Sequence, residues 1–211
     1  MPMRRPDRYR LSARFYDLIS AERPVYRAGR MAAIDLLALR AGHRVLDIGS
    51  GTGLNFPHLQ RRIGPTGSIT AVDASPQMLR QAQRRTDSAG WHNVRLIGAD
   101  ATTMQSAALQ AGVGFDAVIA TYTLSLMPDW RQAIRLMMGV ARPGGRIAVV
   151  DMQKPVGRAT FLTPLARLAC RLGGSDIDAH PWTAIASSLT DVQEISLRGG
   201  HIQVRVGSIP G

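Results

Sequence analysis

The run Val45-Leu46-Asp47-Ile48-Gly49-Ser50-Gly51-Thr52-Gly53-Leu54-Asn55 carries the densest chemical signal in this sequence. A short apolar strand feeds alternate glycines, which let the backbone turn tightly and bring its amides against a ligand, with a helix N-terminus beyond them. The spacing is G-x-G-x-G, not the G-x-G-x-x-G of dinucleotide sites, and Asp47 would repel a pyrophosphate. A carboxylate there suits an ammonium group. Asp73, 20 residues beyond Gly53, stands where an acidic side chain accepts both hydroxyls of an unphosphorylated ribose. Asp100, in Gly98-Ala99-Asp100, can take the amino hydrogens of an adenine. Asp73 and Asp100 could each cap a turn instead, since Ser75 and Thr102 follow them. Three carboxylates at three successive strand ends outweigh that reading. They fit a ligand with an amino group, a ribose diol and an adenine, and no phosphate.

The elements that must position these residues follow from apolar periodicity. Leu11, Phe15, Leu18 and Ile19 share one side of a helix; Val25, Ala28, Ala32, Leu36 and Leu39 predict a second after Pro24. From Arg44 the pattern becomes strand, loop, helix. Val45 to Ile48, Ile69 to Val72, Val94 to Ile97, Ala117 to Thr121 and Ile147 to Val150 are short, continuously apolar runs. Such strands separated by helices imply a parallel sheet covered on both faces. Ser75, Pro76 and Gly90 suit the cap, first position and exit of the helix after the second strand. A helix from Trp130 to Ala141 should end at a sharp turn, Arg142-Pro143-Gly144-Gly145, into the fifth strand. A basic amphipathic stretch spans Arg158 to Leu172. Two last strands, Asp191 to Leu197 and His201 to Val206, form a hairpin about Gly199-Gly200.

The chain has 211 residues, 45% hydrophobic and 19% charged, which excludes disordered and low-complexity classes and leaves room for one full core. Cys170 is the only cysteine, so no intrachain disulfide or cysteine-rich zinc site can form. His43, His58, His92 and His201 have no partners at ligand spacing, and no metal is expected. No apolar run reaches the roughly 20 residues that span a bilayer, and Arg14 and Asp17 interrupt any signal-peptide core. A cytoplasmic location is expected. The net charge of +11 comes from 25 arginines and Lys154 against 15 acids, a skew that a GC-rich genome produces without selection. Residues 1 to 30 still concentrate eight arginines against Asp7, Asp17 and Glu22. Phosphate groups would be drawn there.

On these residues the chain resembles the class I S-adenosylmethionine-dependent methyltransferases from about Leu39 onward. The motifs that carry the resemblance are VLDIGSGTG, AVDAS with PQML, GAD, FDAVIATYTLSLMPDW and ARPGGRIAVVD. It implies an α/β fold: a doubly wound, seven-stranded, mostly parallel Rossmann-like sheet whose last strand is antiparallel. It also implies one domain over 1–211, with a helical lid or appendage over 1–40 and a substrate-side helical insertion over 152–189. The cofactor is S-adenosyl-L-methionine. Gly49, Ser50, Gly51 and Gly53 would approach its methionyl part and Asp47 its amino group. Asp73 with the adjoining Ala74 would hold the ribose, Met78 would lie against the nucleoside, Asp100 with the Ala101 amide would read adenine, and Thr121 and Tyr122 would flank the sulfonium.

Within the family, Phe15-Tyr16-Asp17, Leu126-Met127-Pro128-Asp129-Trp130 and the Gly199-Gly200 hairpin look most like bacterial phospholipid N-methyltransferases, with phosphatidylethanolamine as model acceptor. Quinone C-methyltransferases share Tyr16-Asp17. A small-molecule or lipid acceptor is therefore expected, with peripheral contact with an anionic membrane and no nucleic acid; Thr121-Tyr122-Thr123-Leu124 is not the Asn-Pro-Pro-Tyr motif of nucleic-acid enzymes. Tyr16 and Tyr122 could orient an amine or cation, and His180, in Asp178-Ala179-His180-Pro181-Trp182, is the candidate general base. C- or O-methylation of a quinone or small metabolite is the alternative acceptor chemistry. A nicotinamide-dependent oxidoreductase and a non-catalytic anion-binding module are the competing classes.

Overall fold

The computed structural model describes residues 26–109, 112 and 114–211; the Leu11 to Ile19 helix and Tyr16 lie outside them. Successive elements are α1 (Arg27–Leu36), β1 (Arg44–Ile48), α2 (Phe56–Ile63), β2 (Ser68–Asp73), α3 (Pro76–Ala89), β3 (Val94–Gly98), β4 (Phe115–Thr121), α4 (Trp130–Val140), β5 (Ala141–Met152), α5 (Thr163–Gly173), α6 (Thr183–Ser188), β6 (Thr190–Leu197) and β7 (Ile202–Ser208). The strands form one seven-stranded sheet in the order β3-β2-β1-β4-β5-β7-β6. β1 to β5 pair in parallel and β7 runs antiparallel to both its neighbours. The expected doubly wound sheet with an antiparallel final strand is the observed one.

Alternation along the buried strands divides the core between the two faces. Leu46, Ile48, Val118, Ala120, Ile147 and Val149 pack with Trp130, Ile134 and Met137 of α4 and Ile185 of α6. Val45, Ile69, Ala117, Ile119, Ala148 and Val150 pack with Ala33 and Ile34 of α1 and Phe56, Leu59 and Ile63 of α2. β1, β2, β4 and the second half of β5 are thus sandwiched, which is why their sequences read as continuous apolar residues, whereas the flanking β3 and β6 are only partly buried.

Helix ends follow the sequence closely at α3. Ser75 caps it by accepting from the Met78 amide, Pro76 fills the first turn, and Gly90 exits at φ +66°. Two elements depart from expectation. β5 begins earlier than expected, at Ala141, and the expected turn at residues 142–145 lies inside its span: Ala141 pairs with Phe115 and Arg146 with Ala117, so these four residues loop out of the pairing, with Gly144 at φ +69°. Gly144 and Gly145 are tied there by bonds with Ile209 (3.1 and 2.8 Å). The stretch after Arg158 also divides, into a 3-10 helix over Gly157–Leu162 and α5. Pro164, tolerated in a first helical turn but not in an interior, fixes the break.

Candidate active site

The parallel strands reverse direction of succession between β1 and β4, and the crevice at their C-terminal ends is the place where open α/β sheets bind ligands. The glycine loop leaves β1 there. It does not run straight into a helix: two turns, Gly53 amide to Ser50 carbonyl and Phe56 amide to Gly53 carbonyl, carry it to α2. The Ser50 amide bonds the Val72 carbonyl at 3.0 Å, seating the loop on the end of β2. Gly49, Gly51 and Gly53 all have positive φ. At Gly49 (φ +62°) a Cβ would collide with the Thr123 side chain, so only glycine lets β1 exit against the loop after β4.

Asp47 lies inside β1, fully buried. One oxygen accepts from the Asn55 amide at 2.9 Å; Oδ2 is buried with no partner among the described residues, as is the Ser50 hydroxyl. Burial is the main reason the carboxyl pKa rises from 3.8 to about 7, against the Asn55 bond and the attraction of Arg30. Arg30 comes from α1 and is itself buried. It donates to Asn55 Oδ1 at 2.5 Å and to the Thr121 hydroxyl at 2.9 Å. Asn55 also reaches Thr121, at 3.3 Å. The site's floor is therefore a linked set, Asp47, Asn55, Thr121 and Arg30, drawn from four parts of the chain, with one of its polar atoms, Asp47 Oδ2, and the neighbouring Ser50 hydroxyl unsatisfied among the described residues. Buried polar atoms without partners are expensive unless a ligand completes them.

Asp73 accepts from the Gly51 amide at 2.8 Å and from the Ser75 amide at 2.8 Å. It shapes the glycine loop as well as ending β2, and burial raises its pKa. Ala74 follows directly. Met78 is buried at the start of α3. Asp100 accepts from the amide and hydroxyl of Thr102, at 2.8 and 2.7 Å, so it does cap a turn, beside the buried Ala101. Asp47, Gly49, Ser50, Gly51, Gly53, Asp73 and Thr121 are brought together. Asp100 and Ala101 stand two and three residues past the end of neighbouring β3.

Tyr122 follows Thr121 in the left-handed region (φ +57°). Its hydroxyl donates to the Tyr26 carbonyl at 2.7 Å, and the two rings lie 4.9 Å apart. Beside this pair Met152, Ala166, Cys170 and Ile177 form a small apolar cluster. His180 takes a turn role: φ is +46°, its ring lies 4.9 Å from Trp182, and its carbonyl accepts from the Thr183 hydroxyl at 2.8 Å. Sequence reasoning missed Arg30, Asn55 and His201. Arg30 had a legible signal, an arginine in register with Ala33 and Ile34 on the apolar side of α1. His201 had none, since its Nδ1 lies 2.6 Å from the Gln153 carbonyl, 48 residues away.

Residues 45–145 match the family model described as a methyltransferase domain. The ubiquinone/menaquinone biosynthesis C-methyltransferase of Pasteurella multocida is 31% identical over 145 residues, covering 68% of this chain and 51% of that protein. The chain thus spans about half the length of the curated relatives it matches. A methyltransferase structure from Aquifex aeolicus superimposes with TM-score 0.64 at 16% identity, covering 93% of this chain and 97% of that one. The phosphoethanolamine N-methyltransferase 2 of Haemonchus contortus, solved with phosphomonomethylethanolamine and S-adenosylhomocysteine, gives 0.73 at 13% identity, over 96% and 59%. Both likenesses concern the fold.

Proposed function

This chain belongs to the class I S-adenosylmethionine-dependent methyltransferases, and from that premise we propose that it methylates a lipid-borne acceptor, first of all the amine of an aminophospholipid such as phosphatidylethanolamine. The unpartnered Asp47 Oδ2 and Ser50 hydroxyl carry the cofactor side of the reading. They are a buried anion and a donor that an α-amino-acid head group completes, with Arg30 beside them to face its carboxylate. Gly49, Gly51 and Gly53 admit the chain, Asp73 and Ala74 the ribose, Met78 the nucleoside face, and Asp100 with Ala101 the adenine. S-adenosylmethionine supplies a methyl already activated by a positively charged sulfur. The protein's task is then to hold an acceptor in line behind that carbon and to exclude water.

Tyr26, Tyr122 and the apolar Met152, Ala166 and Ile177 support an acceptor that is greasy and carries an amine. Aromatic faces favour such a group as it gains charge, and an amine arriving unprotonated needs no base. Tyr16 and the 1–25 part of the 1–40 segment lie outside the described residues; on this reading Tyr26 and α1 border the site and residues 152–189 form its acceptor wall. The outer side of that wall exposes Phe161 (77%) and Leu168 (55%) beside the exposed Arg167. This apolar and basic face suits peripheral contact with an anionic bilayer. Among the described residues no helix is long and apolar enough to cross one.

C-methylation of a quinone precursor is a second reading, favoured by the curated relatives. A phenolic acceptor profits from a base, and His201 fits better than His180. Its Nδ1 donates to the Gln153 carbonyl, which leaves Nε2 with the lone pair, and its ring lies 6.2 Å from Tyr26. Methyl-labelled cofactor, offered phosphatidylethanolamine vesicles and a reduced naphthoquinone in parallel, decides. Label in the phospholipid supports the first reading, label in the quinone replaces it with the second, and label in neither sinks both.

A further inference from the structure

Asp151 belongs to none of the roles above, yet it is fully buried one residue before the end of β5. Its carboxylate accepts from the Ser125 amide at 2.9 Å, the Ser125 hydroxyl at 2.7 Å and the Met152 amide at 2.9 Å. The Ser125 carbonyl in turn accepts from the Asp176 amide at 2.8 Å. One carboxylate therefore joins three pieces of chain: the end of β5, the short turn over Leu124–Leu126 after β4, and the segment after α5.

Both of the segments it joins bear on the acceptor side. The turn continues directly from Thr121, Tyr122 and Thr123. Tyr122 is held in a left-handed conformation that a side chain adopts at some expense, its amide bonded to the Val150 carbonyl at 2.7 Å. Ile177, next to Asp176, is buried with Met152, Ala166 and Cys170 against Tyr26 and Tyr122. Met152 follows Asp151 in the chain.

We propose that Asp151 is the positioning residue of the acceptor site, fixing Tyr122 from one side and Ile177 from the other through Ser125. It touches neither cofactor nor acceptor. A buried charge is a poor device for stability alone, because desolvation offsets the hydrogen bonds it gains. Its use here is geometric: a carboxylate accepts from several donors at once, where an amide oxygen leaves its NH2 facing donors.

Protonation would undo the arrangement, since a neutral carboxyl turns one oxygen from acceptor into donor. Burial pushes the Asp151 pKa up to about 6 against the bonds from Ser125 and Met152. Cys170, from α5, is the titratable side chain it acts on electrostatically; burial and Asp151 hold that thiol up at about 11. Gln203, its register partner on β7, is uncharged. Between pH 5 and 8 the carboxyl is then the member of this group that changes charge.

Amide hydrogen exchange on the full chain tests the geometry, comparing wild type, Asp151→Asn and Ser125→Ala at pH 7.5 and 5.5 after correction for intrinsic rates. In Asp151→Asn, protection at Ser125 and Asp176 should fall about tenfold or more, while the amides of β1 and β2 hold. Wild type at pH 5.5 should move the same way. S-adenosylhomocysteine affinity should stay within about threefold, because Asp151 lies off the cofactor. The kinetic arm rests on the methyltransfer reading: with phosphatidylethanolamine vesicles at pH 7.5, kcat should drop by about 10- to 100-fold. Unchanged protection at Ser125 and Asp176 in Asp151→Asn would overturn the proposal, as would wild-type protection at these two amides that is the same at pH 7.5 and 5.5. If Asp151→Asn does not fold, Ser125→Ala decides on the same readouts. If neither wild type nor variant labels any acceptor while exchange behaves as stated, the acceptor assignment fails and the positioning role stands.

Discussion

The Asn55 side-chain amide donates to Asp47 at 2.9 Å, while the other oxygen of the same carboxylate is buried and unmatched. Half of the interaction is built into the fold and half is left for a ligand. Asp47→Asn should therefore separate stability from binding. A carboxyl raised from 3.8 to about 7 binds its proton more tightly folded than unfolded. Its ionisation destabilises the fold progressively as pH rises through that window, and fully above it. The asparagine variant should gain stability at pH 8, of the order of a few kcal/mol by this linkage, and almost none at pH 4. Its affinity for S-adenosylhomocysteine should fall by about 100-fold, the loss of a buried charged partner. Thermal melts at the two pH values and calorimetric titration measure both halves.

The same carboxyl makes cofactor binding release protons. An ammonium seated at Asp47 favours the ionised form and pulls its pKa down, so near pH 7 binding must expel part of a proton. Titration with S-adenosylhomocysteine in two buffers of different ionisation enthalpy should show release at pH 6.5 that fades by pH 8.5, where the apo carboxyl is already ionised. No buffer dependence would remove Asp47 from the ammonium site.

Gly49 and Gly51 should respond differently to alanine although both have positive φ. At Gly49 the new Cβ meets Thr123, so Gly49→Ala should both destabilise the protein and abolish binding. At Gly51 the Cβ meets no atom within 4 Å among the described residues beyond its chain neighbours. Gly51→Ala should lose only about 1–2 kcal/mol from left-handed strain, yet weaken S-adenosylhomocysteine binding at least about tenfold, a loss near 1.4 kcal/mol. Normal affinity in Gly51→Ala would mean that the ligand does not pass over this glycine.

Membrane contact through the outer side of the 152–189 segment predicts a simple result. Phe161→Glu combined with Leu168→Glu should abolish co-sedimentation with phosphatidylglycerol vesicles. S-adenosylhomocysteine affinity should not change, because both side chains are exposed. Vesicle binding by the wild type should weaken with salt. Retention of binding by the double variant would move the contact elsewhere.

How much of this was legible beforehand depended on whether the relevant force was local. β1, β2 and β4 announce themselves because burial on both faces demands continuous apolar residues, and α3 because its cap, Pro76 and Gly90 are adjacent in sequence. Asp47, Gly49, Gly51 and Asp73 could be read because one loop and two strand ends fix them. Thr121 was placed by its motif, but its bond with Arg30, 91 residues away, could not be read, since only the folded sheet brings α1 to the end of β4. The early start of β5 was hidden for a similar reason: Pro143, Gly144 and Gly145 make the turn that their residue types favour, and only the pairing of Ala141 with Phe115 on β4 carries the strand back across it. Asp100 shows both outcomes in one residue, a turn cap by its contacts and a site residue by its position.

β7 is an interior strand, paired with β5 on one side and β6 on the other, yet it is made after both. β6 pairs with β7 alone, so it has no place in the sheet until β7 has joined β5. Ile202, Val204 and Val206, all inaccessible, complete the floor under α1. The wall carrying Met152 and His201 is therefore finished by the last hairpin of the fold, and a change that loosens Ile202–Ser208 would loosen the acceptor side while leaving the β1 to β4 crevice paired.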